Sequence, residues 1–234
     1  MSLEIPNSPY VTWDPKEFEK EIALLLAVSS RKNYQNGDMI YLQGEKSRAF
    51  FFVRKGRVKV SILKEDGSEK TLAIQEENTF FGEDAAFDGH PYFATAVSVS
   101  DSEIDIIPID RARVVIRENP DVAFLIIARI IRKVRLLGFQ VEALAFLDAQ
   151  KRIAHILTKL ISEVGEPSPE GIVIRKGITH EDLANLTGLS RVRVTTILNN
   201  IEKAGIIIKK RLVLTVTDPD KLRSLLEAPY CREV

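Results

Sequence analysis

Arg191 and Arg193 stand two residues apart, with Thr195 and Thr196 close behind, in a stretch where Val194, Ile197, Leu198 and Ile201 recur at three-and-four spacing. A helix on that spacing buries the apolar stripe and turns Arg191, Val192, Arg193, Thr195, Thr196 and Asn199 outward. Guanidinium groups offer rigid forks of N–H donors and hydroxyls donate or accept, so this face suits phosphate oxygens and base edges; Val192 suits the methyl of thymine. Upstream, Thr179 followed by Asp182 forms an N-cap with an acid at N3, and Leu183, Ala184 and Leu186 supply an apolar stripe, predicting a helix over 180–187. Gly188 allows the positive φ of a tight turn, and Ser190 caps a second helix beginning at Arg191. Gly205 closes that helix, and two β-branched runs around Lys210 and Arg211 read as a small hairpin or wing. The segment therefore reads as a winged helix-turn-helix. An ordinary helical hairpin is the competing reading, but between Arg175 and Arg211 there are eight Lys or Arg against three Asp or Glu, a surface that attracts phosphate.

Charge and composition show what must carry this segment. The chain has 234 residues, is 45% hydrophobic and has formal net charge zero. That balance hides a split, because residues 1–118 hold 15 basic and 20 acidic side chains and the rest hold the opposite excess. No apolar stretch approaches the roughly 20 residues that span a bilayer, and the N-terminus lacks a basic-then-apolar signal pattern, so a cytoplasmic protein without membrane contact is expected. A single cysteine, Cys231, excludes an internal disulfide and an iron-sulfur cluster held by several thiolates. His155 and His180 lack metal-ligand spacing and read as a packing residue and a helix N-terminal residue; no metal site is expected. No nucleophile elbow, P-loop or paired metal ligands occur, which argues against an enzyme.

The acidic part reads as short strands over 39–42, 49–53, 57–63, 70–74, 95–99 and 103–109, separated by turn signals such as Asn36-Gly37-Asp38 and Glu65-Asp66-Gly67. Such spacing predicts a jelly roll or barrel. Phe80-Phe81-Gly82-Glu83 differs, since its glycine opens a short helix whose amides could hold an anion. From Pro120 to about Leu147 a long helix is predicted, with Phe124, Ile127, Ile131, Val134, Gly138, Val141 and Ala145 as its seam. The length of this run, and Gly138 within it, favour a helix that pairs with a second copy, giving a homodimer.

In this order, the pieces resemble the catabolite activator (CRP/FNR) family of bacterial transcription regulators over nearly the whole chain. The residues that carry the resemblance are Lys55-Gly56-Arg57-Val58, Phe81-Gly82-Glu83, Asn119-Pro120-Asp121, Leu144-Ala145-Phe146-Leu147-Asp148, Arg152-Ile153-Ala154 and Thr187-Gly188-Leu189-Ser190-Arg191. The resemblance implies an α+β chain with a cyclic-nucleotide-binding-like double-stranded β-helix (jelly roll) over 1–118, a dimerisation helix over 119–147 and a winged helix-turn-helix over 148–234. It also implies a homodimer on a palindromic operator in double-stranded DNA, gated by an effector lodged between roll and long helix, with a hinge near Asp148. RNA polymerase is a further partner if the protein is an activator.

The departures from the family pattern predict a different ligand. Nucleotide-binding members place Arg-Ser at the end of the cassette and Thr-Ser on the long helix, where this chain aligns Phe93-Ala94 and Leu137-Gly138. A buried cyclic phosphate without those partners is costly, so cyclic AMP is not expected. The string Tyr92-Phe93-Ala94-Thr95-Ala96 is similar instead to non-nucleotide sensors, including chlorophenol-responsive regulators of dehalogenation. The expected pocket comprises Gly82, Glu83, Tyr92, Phe93, Thr95, Lys133, Leu137 and Gly138, with Lys133 or Arg135 facing an acidic or aromatic effector. His90 keeps haem-based gas or redox sensing as an alternative, and an effector-binding module without DNA contact is the alternative of another class. For DNA, the expected contacts are Arg191, Val192, Arg193, Thr195 and Thr196 on the recognition helix, with Thr179, His180, Lys210 and Arg211 positioning on phosphate. Members commonly carry Glu where Val192 stands, so the operator is expected to differ from the usual half-site.

Overall fold

The computed structural model describes residues 10–11, 14, 16–175, 178–210 and 213–227. The chain forms two compact units, Met1–Leu137 and Gly138–Val234. Among the described residues no helix is long and apolar enough to cross a membrane.

The first unit is a roll of two sheets. In chain order its elements are β1 (Tyr10–Val11), α1 (Glu19–Leu26), β2 (Ser30–Tyr34), β3 (Met39–Tyr41), β4 (Ala49–Lys55), β5 (Val58–Leu63), β6 (Glu69–Gln75) and β7 (Thr79–Phe81). Then follow α2 (Glu83–Asp88), β8 (Thr95–Ser98), β9 (Ser102–Pro108), α3 (Ile109–Glu118) and α4 (Asp121–Phe146), whose final turns belong to the second unit. One sheet has the order β1-β6-β5-β8-β3 and the other β2-β9-β4-β7. All pairings are antiparallel except β1 on β6, where Val11 lies opposite Gln75.

The phenylalanine run of β4 explains how this sheet is covered. Successive strand residues face opposite sides. Phe51 and Val53 point into the roll with Tyr41, Val58, Val60, Phe81 and Ile104. Phe50 and Phe52 point the other way, into a second core with Phe80 of β7, Ile107 of β9, and Ile22, Leu25, Val115, Val122 and Leu125 from α1, α3 and α4. A continuous apolar strand is what two covered faces require. The helix α4 contributes Leu125 and Ile126 to that core, and one turn later Arg129, only 2% exposed, sits in the same stripe. Its guanidinium donates to the Glu17 side chain at 3.3 Å and to the Glu17 carbonyl at 3.2 Å. Burial pulls this arginine down to about 10, with the Glu17 carboxylate opposing the shift.

The second unit holds α5 (Ala149–Val164), β10 (Gly165–Ser168), β11 (Gly171–Ile174), α6 (His180–Thr187), α7 (Arg191–Lys203), β12 (Ile207–Lys210), β13 (Val213–Val216) and α8 (Pro219–Glu227). Asp148 caps α5 by accepting from the Lys151 amide at 2.8 Å. The wing is larger than the predicted hairpin: β10-β11-β13-β12 make one four-stranded antiparallel sheet. Ile172–Ile174 supply β-branched residues that pair with β13, and Gly-Glu-Pro-Ser pairs at the edge, where a proline costs no inner ladder bond.

Candidate nucleic-acid face and ligand cavity

The two helices of the turn motif begin and end where local chemistry directs. Thr179 and Asp182 form a reciprocal capping box: the Asp182 amide donates to Thr179 Oγ1 at 3.1 Å and the Thr179 amide to Asp182 Oδ2 at 2.8 Å. Gly188 takes φ +67 at the end of α6, and Ser190 Oγ accepts from the Arg193 amide at 3.2 Å to start α7. A β-carbon at Gly188 would meet only ordinary contacts, so the backbone angle sets the requirement there. Val194, Ile197, Leu198 and Ile201 are buried, while Arg191, Val192, Arg193, Thr196 and Asn199 are exposed and Thr195 is half-buried. Val192 is 77% exposed. A large apolar side chain so placed on a capped helix has no packing role within this unit.

The hydroxyls on this face are engaged with their own helix. Thr196 donates to the Val192 carbonyl at 3.1 Å and Thr195 to the Arg191 carbonyl at 2.9 Å. Thr195 Oγ1 also lies 2.9 Å from His180 Nδ1, a hydrogen bond that ties the start of α6 to α7. Burial, then Lys209 and Arg191, lower the basicity of His180. Thr179 and His180, expected as phosphate contacts, are thus first of all structural here, one in the cap and the other bridging α6 to α7.

The positive charge is narrower than the sequence count indicates. Lys210 is held by Glu170 at 2.9 Å, and Lys209 by Glu202 at 3.0 Å and by Asn199 at 2.5 Å, which ties that outward asparagine to the wing. Arg191 has only Glu181 at 4.0 Å, and Arg193 makes no ion pair among the described residues. The two arginines at the start of α7 are therefore less engaged than Lys209 and Lys210 of the wing, and Arg211 lies outside the described residues.

In the first unit a cavity of about 180 Å³ opens between β-roll residues and α4. Gly82, Glu83, Tyr92, Phe93, Lys133 and Leu137 line it, with Ala94 beside Phe93. Thr95 and Gly138 lie outside the lining; Thr95 is buried and accepts from the Gln43 amide at 3.1 Å. Among the lining residues that the sequence reading missed are Tyr41, Ala73, Gln75, Asp84, Ile130 and Val134. Alternation along β6 is the signal that could have placed Ala73 and Gln75 on one inward face. Gly82 takes φ +72 at the head of α2, and a β-carbon there would press to 3.2 Å on the rings of Tyr41 and Phe51. Tyr41 and Tyr92 stack with centroids 3.9 Å apart, and the Tyr92 hydroxyl donates to the Ala49 carbonyl at 2.7 Å.

Lys133, the one cation lining the cavity among the described residues, is already occupied. Lys133 Nζ donates to Glu83 Oε1 at 2.5 Å and to the Phe80 carbonyl at 2.6 Å, so it is neutralised by a carboxylate instead of facing the space as a free charge. The first turn of α2 carries Glu83 and Asp84, so an anion at its amides would meet two carboxylates. Arg135 is exposed and outside the lining, as is His90, whose amide donates to Asp88 in the turn after α2.

Comparison with known proteins follows the same division of the chain. Residues 31–119 match the cyclic nucleotide-binding domain and residues 151–225 match the Crp-like helix-turn-helix domain. A global nitrogen regulator from Synechocystis sp. is 28% identical over 190 residues, covering 80% of this chain and 84% of the relative. A cyclic AMP receptor protein from Thermus thermophilus is 30% identical over 188 residues, covering 80% and 84%. Among solved structures, a CooA variant from Carboxydothermus hydrogenoformans superposes with TM-score 0.75 at 26% identity, over 86% of this chain and 89% of that one.

Proposed function

Because the chain belongs to the CRP/FNR family of transcription regulators, we propose that it is a homodimeric DNA-binding regulator whose operator affinity is set by a small molecule other than cyclic AMP. The observation that carries the reading is the exposed α7 face, where Arg191, Val192 and Arg193 project from a helix capped by Ser190 beside a wing. In a two-fold dimer the α7 helices enter successive major grooves of a palindromic site, Arg191 reads guanine O6 and N7, and Val192 contacts a thymine methyl. On this reading residues 1–118 sense, 119–147 dimerise and 148–234 bind DNA, in the cytoplasm and without catalysis. Support for an effector other than cyclic AMP comes from Phe93, Ala94 and Leu137 in the cavity wall, none of whose side chains can hydrogen-bond a phosphate or a base.

The test is selection of duplexes from a random pool by the full-length protein, followed by salt titration of the selected sequence. A regulator returns inverted repeats with half-sites about one helical turn apart, and its affinity falls steeply between about 50 and 200 mM salt. Enrichment of no sequence, together with binding that ignores salt, would refute the proposal.

A further inference from the structure

The polar atoms of the ligand cavity are unevenly spent. Two of its donor groups are engaged: Lys133 Nζ bonds Glu83 Oε1 and the Phe80 carbonyl, and the Tyr92 hydroxyl bonds the Ala49 carbonyl. Two of its acceptors are not. Glu83 Oε2 and Gln75 Oε1 are both buried and have no hydrogen-bond partner, although both residues line the cavity. A buried acceptor without a donor loses its water and gains nothing in return, a cost that a ligand donor removes. The rest of the lining is aliphatic or aromatic apart from Asp84, and Lys133 is the one cation in it among the described residues.

From this inventory we propose that the effector is a small, uncharged and largely apolar molecule that donates a hydrogen bond to Glu83, and that anions are excluded. The inference rests on reading this cavity as the effector site, and it replaces the acidic ligand expected from Lys133. Size agrees: apolar cavities of about 150 Å³ hold a single benzene ring, and this one measures about 180 Å³. An entering carboxylate or phosphate would either leave two like charges together beside Lys133 or displace Glu83, leaving a buried carboxylate unpaired. The local field points the same way. Burial first, and the Glu83 charge next, hold the Asp84 carboxyl above its usual range, while burial followed by Asp84 and Glu83 pushes the Tyr41 hydroxyl up.

Two probes of matched skeleton decide the matter: benzyl alcohol, which donates and is neutral, and benzoate, which is an anion. Saturable binding of each to the full-length protein is measured by ligand-observed NMR and calorimetry near pH 7.5. Benzyl alcohol is expected to bind at least about tenfold more tightly than benzoate, the difference made by a charge-assisted hydrogen bond. Glu83→Gln keeps an acceptor for Lys133 but removes the negative charge, so benzoate affinity rises and the preference shrinks or inverts. Equal or tighter benzoate binding by the native protein would overturn the proposal. So would an unchanged preference in a folded Glu83→Gln variant, or no saturable benzyl alcohol binding up to about 20 mM, beyond which affinity carries no meaning. If that variant does not fold, the ratio in the native protein alone decides. Neither probe requires DNA, so failure here leaves the DNA-binding proposal standing, and loss of salt-dependent duplex binding with intact probe binding refutes only that proposal.

Discussion

Replacing Ile131 with glutamate tests whether the outward face of α4 is the dimer seam. Phe124, Ile127, Ile131 and Val134 recur along this face at three-and-four spacing and are all exposed in the isolated chain, Ile131 to 48%. Fully burying such a side chain contributes about 1.5–3 kcal/mol, so covering the exposed half of Ile131 contributes about 1 kcal/mol or slightly more. A two-fold interface counts the residue twice, giving about 2–3 kcal/mol lost on substitution, before the cost of desolvating two glutamates is added. The dimer dissociation constant should therefore rise at least about 30- to 150-fold. Sedimentation velocity across a concentration series reads this directly, with circular dichroism confirming that α4 still forms. A folded Ile131→Glu protein that dimerises within about threefold of the native constant would show that the helix pairs through another face or not at all, because a change so small is under 1 kcal/mol.

Two further outcomes follow from the second unit. Arg191→Ala should weaken binding to the selected operator by about 1–3 kcal/mol and weaken random duplex much less, read by competition anisotropy; equal losses on both would assign Arg191 to phosphate. Burial first, then Lys159, lower the basicity of half-buried His155, and His180 shifts in the same direction. For a histidine whose folded pKa lies below its unfolded 6.5, the unfolded chain takes up protons first, so stability is greatest above that value and falls as pH drops through the window beneath it. Urea unfolding at pH 8 against pH 5 measures the slope, and His155→Gln should flatten part of it; an identical slope in the variant would remove His155 from the cause.

How much the sequence revealed depended on whether a residue's neighbours lay along the chain. The turn motif was legible to the residue because caps, glycine turn and apolar stripe are all local: the helices expected over 180–187 and from Arg191 are α6 and α7. The roll was legible as short β-branched or aromatic runs between turn signals at β4, β5, β6, β8 and β9, whose predicted spans differ from the observed ones by a few residues. By contrast β2, Ser-Arg-Lys-Asn-Tyr, is exposed at four of five positions and exists because β9 offers it a ladder, a partner about 70 residues away. The edge strand β10 escaped although its partner β11 is the next strand in the chain, because Gly-Glu-Pro-Ser has no β-branched or aromatic residue and reads as a loop. The helix α3 was hidden behind a strand expected to continue through Ile109, where Pro108 instead serves as the N-cap. The pairing of Lys133 with Glu83 spans 50 residues, and so a lysine read as a free cation is a neutralised one. The burial of Arg129 was not legible either, because Glu17, which meets its charge, lies 112 residues away in the chain.

The position of Val134 connects the two proposals physically. It lines the cavity and is also 60% exposed on the face proposed as the seam, and Leu137 is a second residue of the lining left open to solvent on α4. A ligand in that cavity and a second chain on that helix would thus touch the same side chains, with no relay between them. Such an arrangement couples binding to dimer geometry only if the ligand contacts differ between two seam packings, since equal contacts shift no equilibrium however tight the binding. The Lys133–Glu83 pair supplies a fixed point for that difference. It fastens α4 to the head of α2 one residue before Val134, so a donor that engages Glu83 acts on an ion pair whose cation belongs to the helix of the seam. Regulation on this reading begins at a carboxylate inherited from the family pattern but charged with a different ligand chemistry, which is why the loss of the nucleotide's polar partners need not have cost the protein its switch.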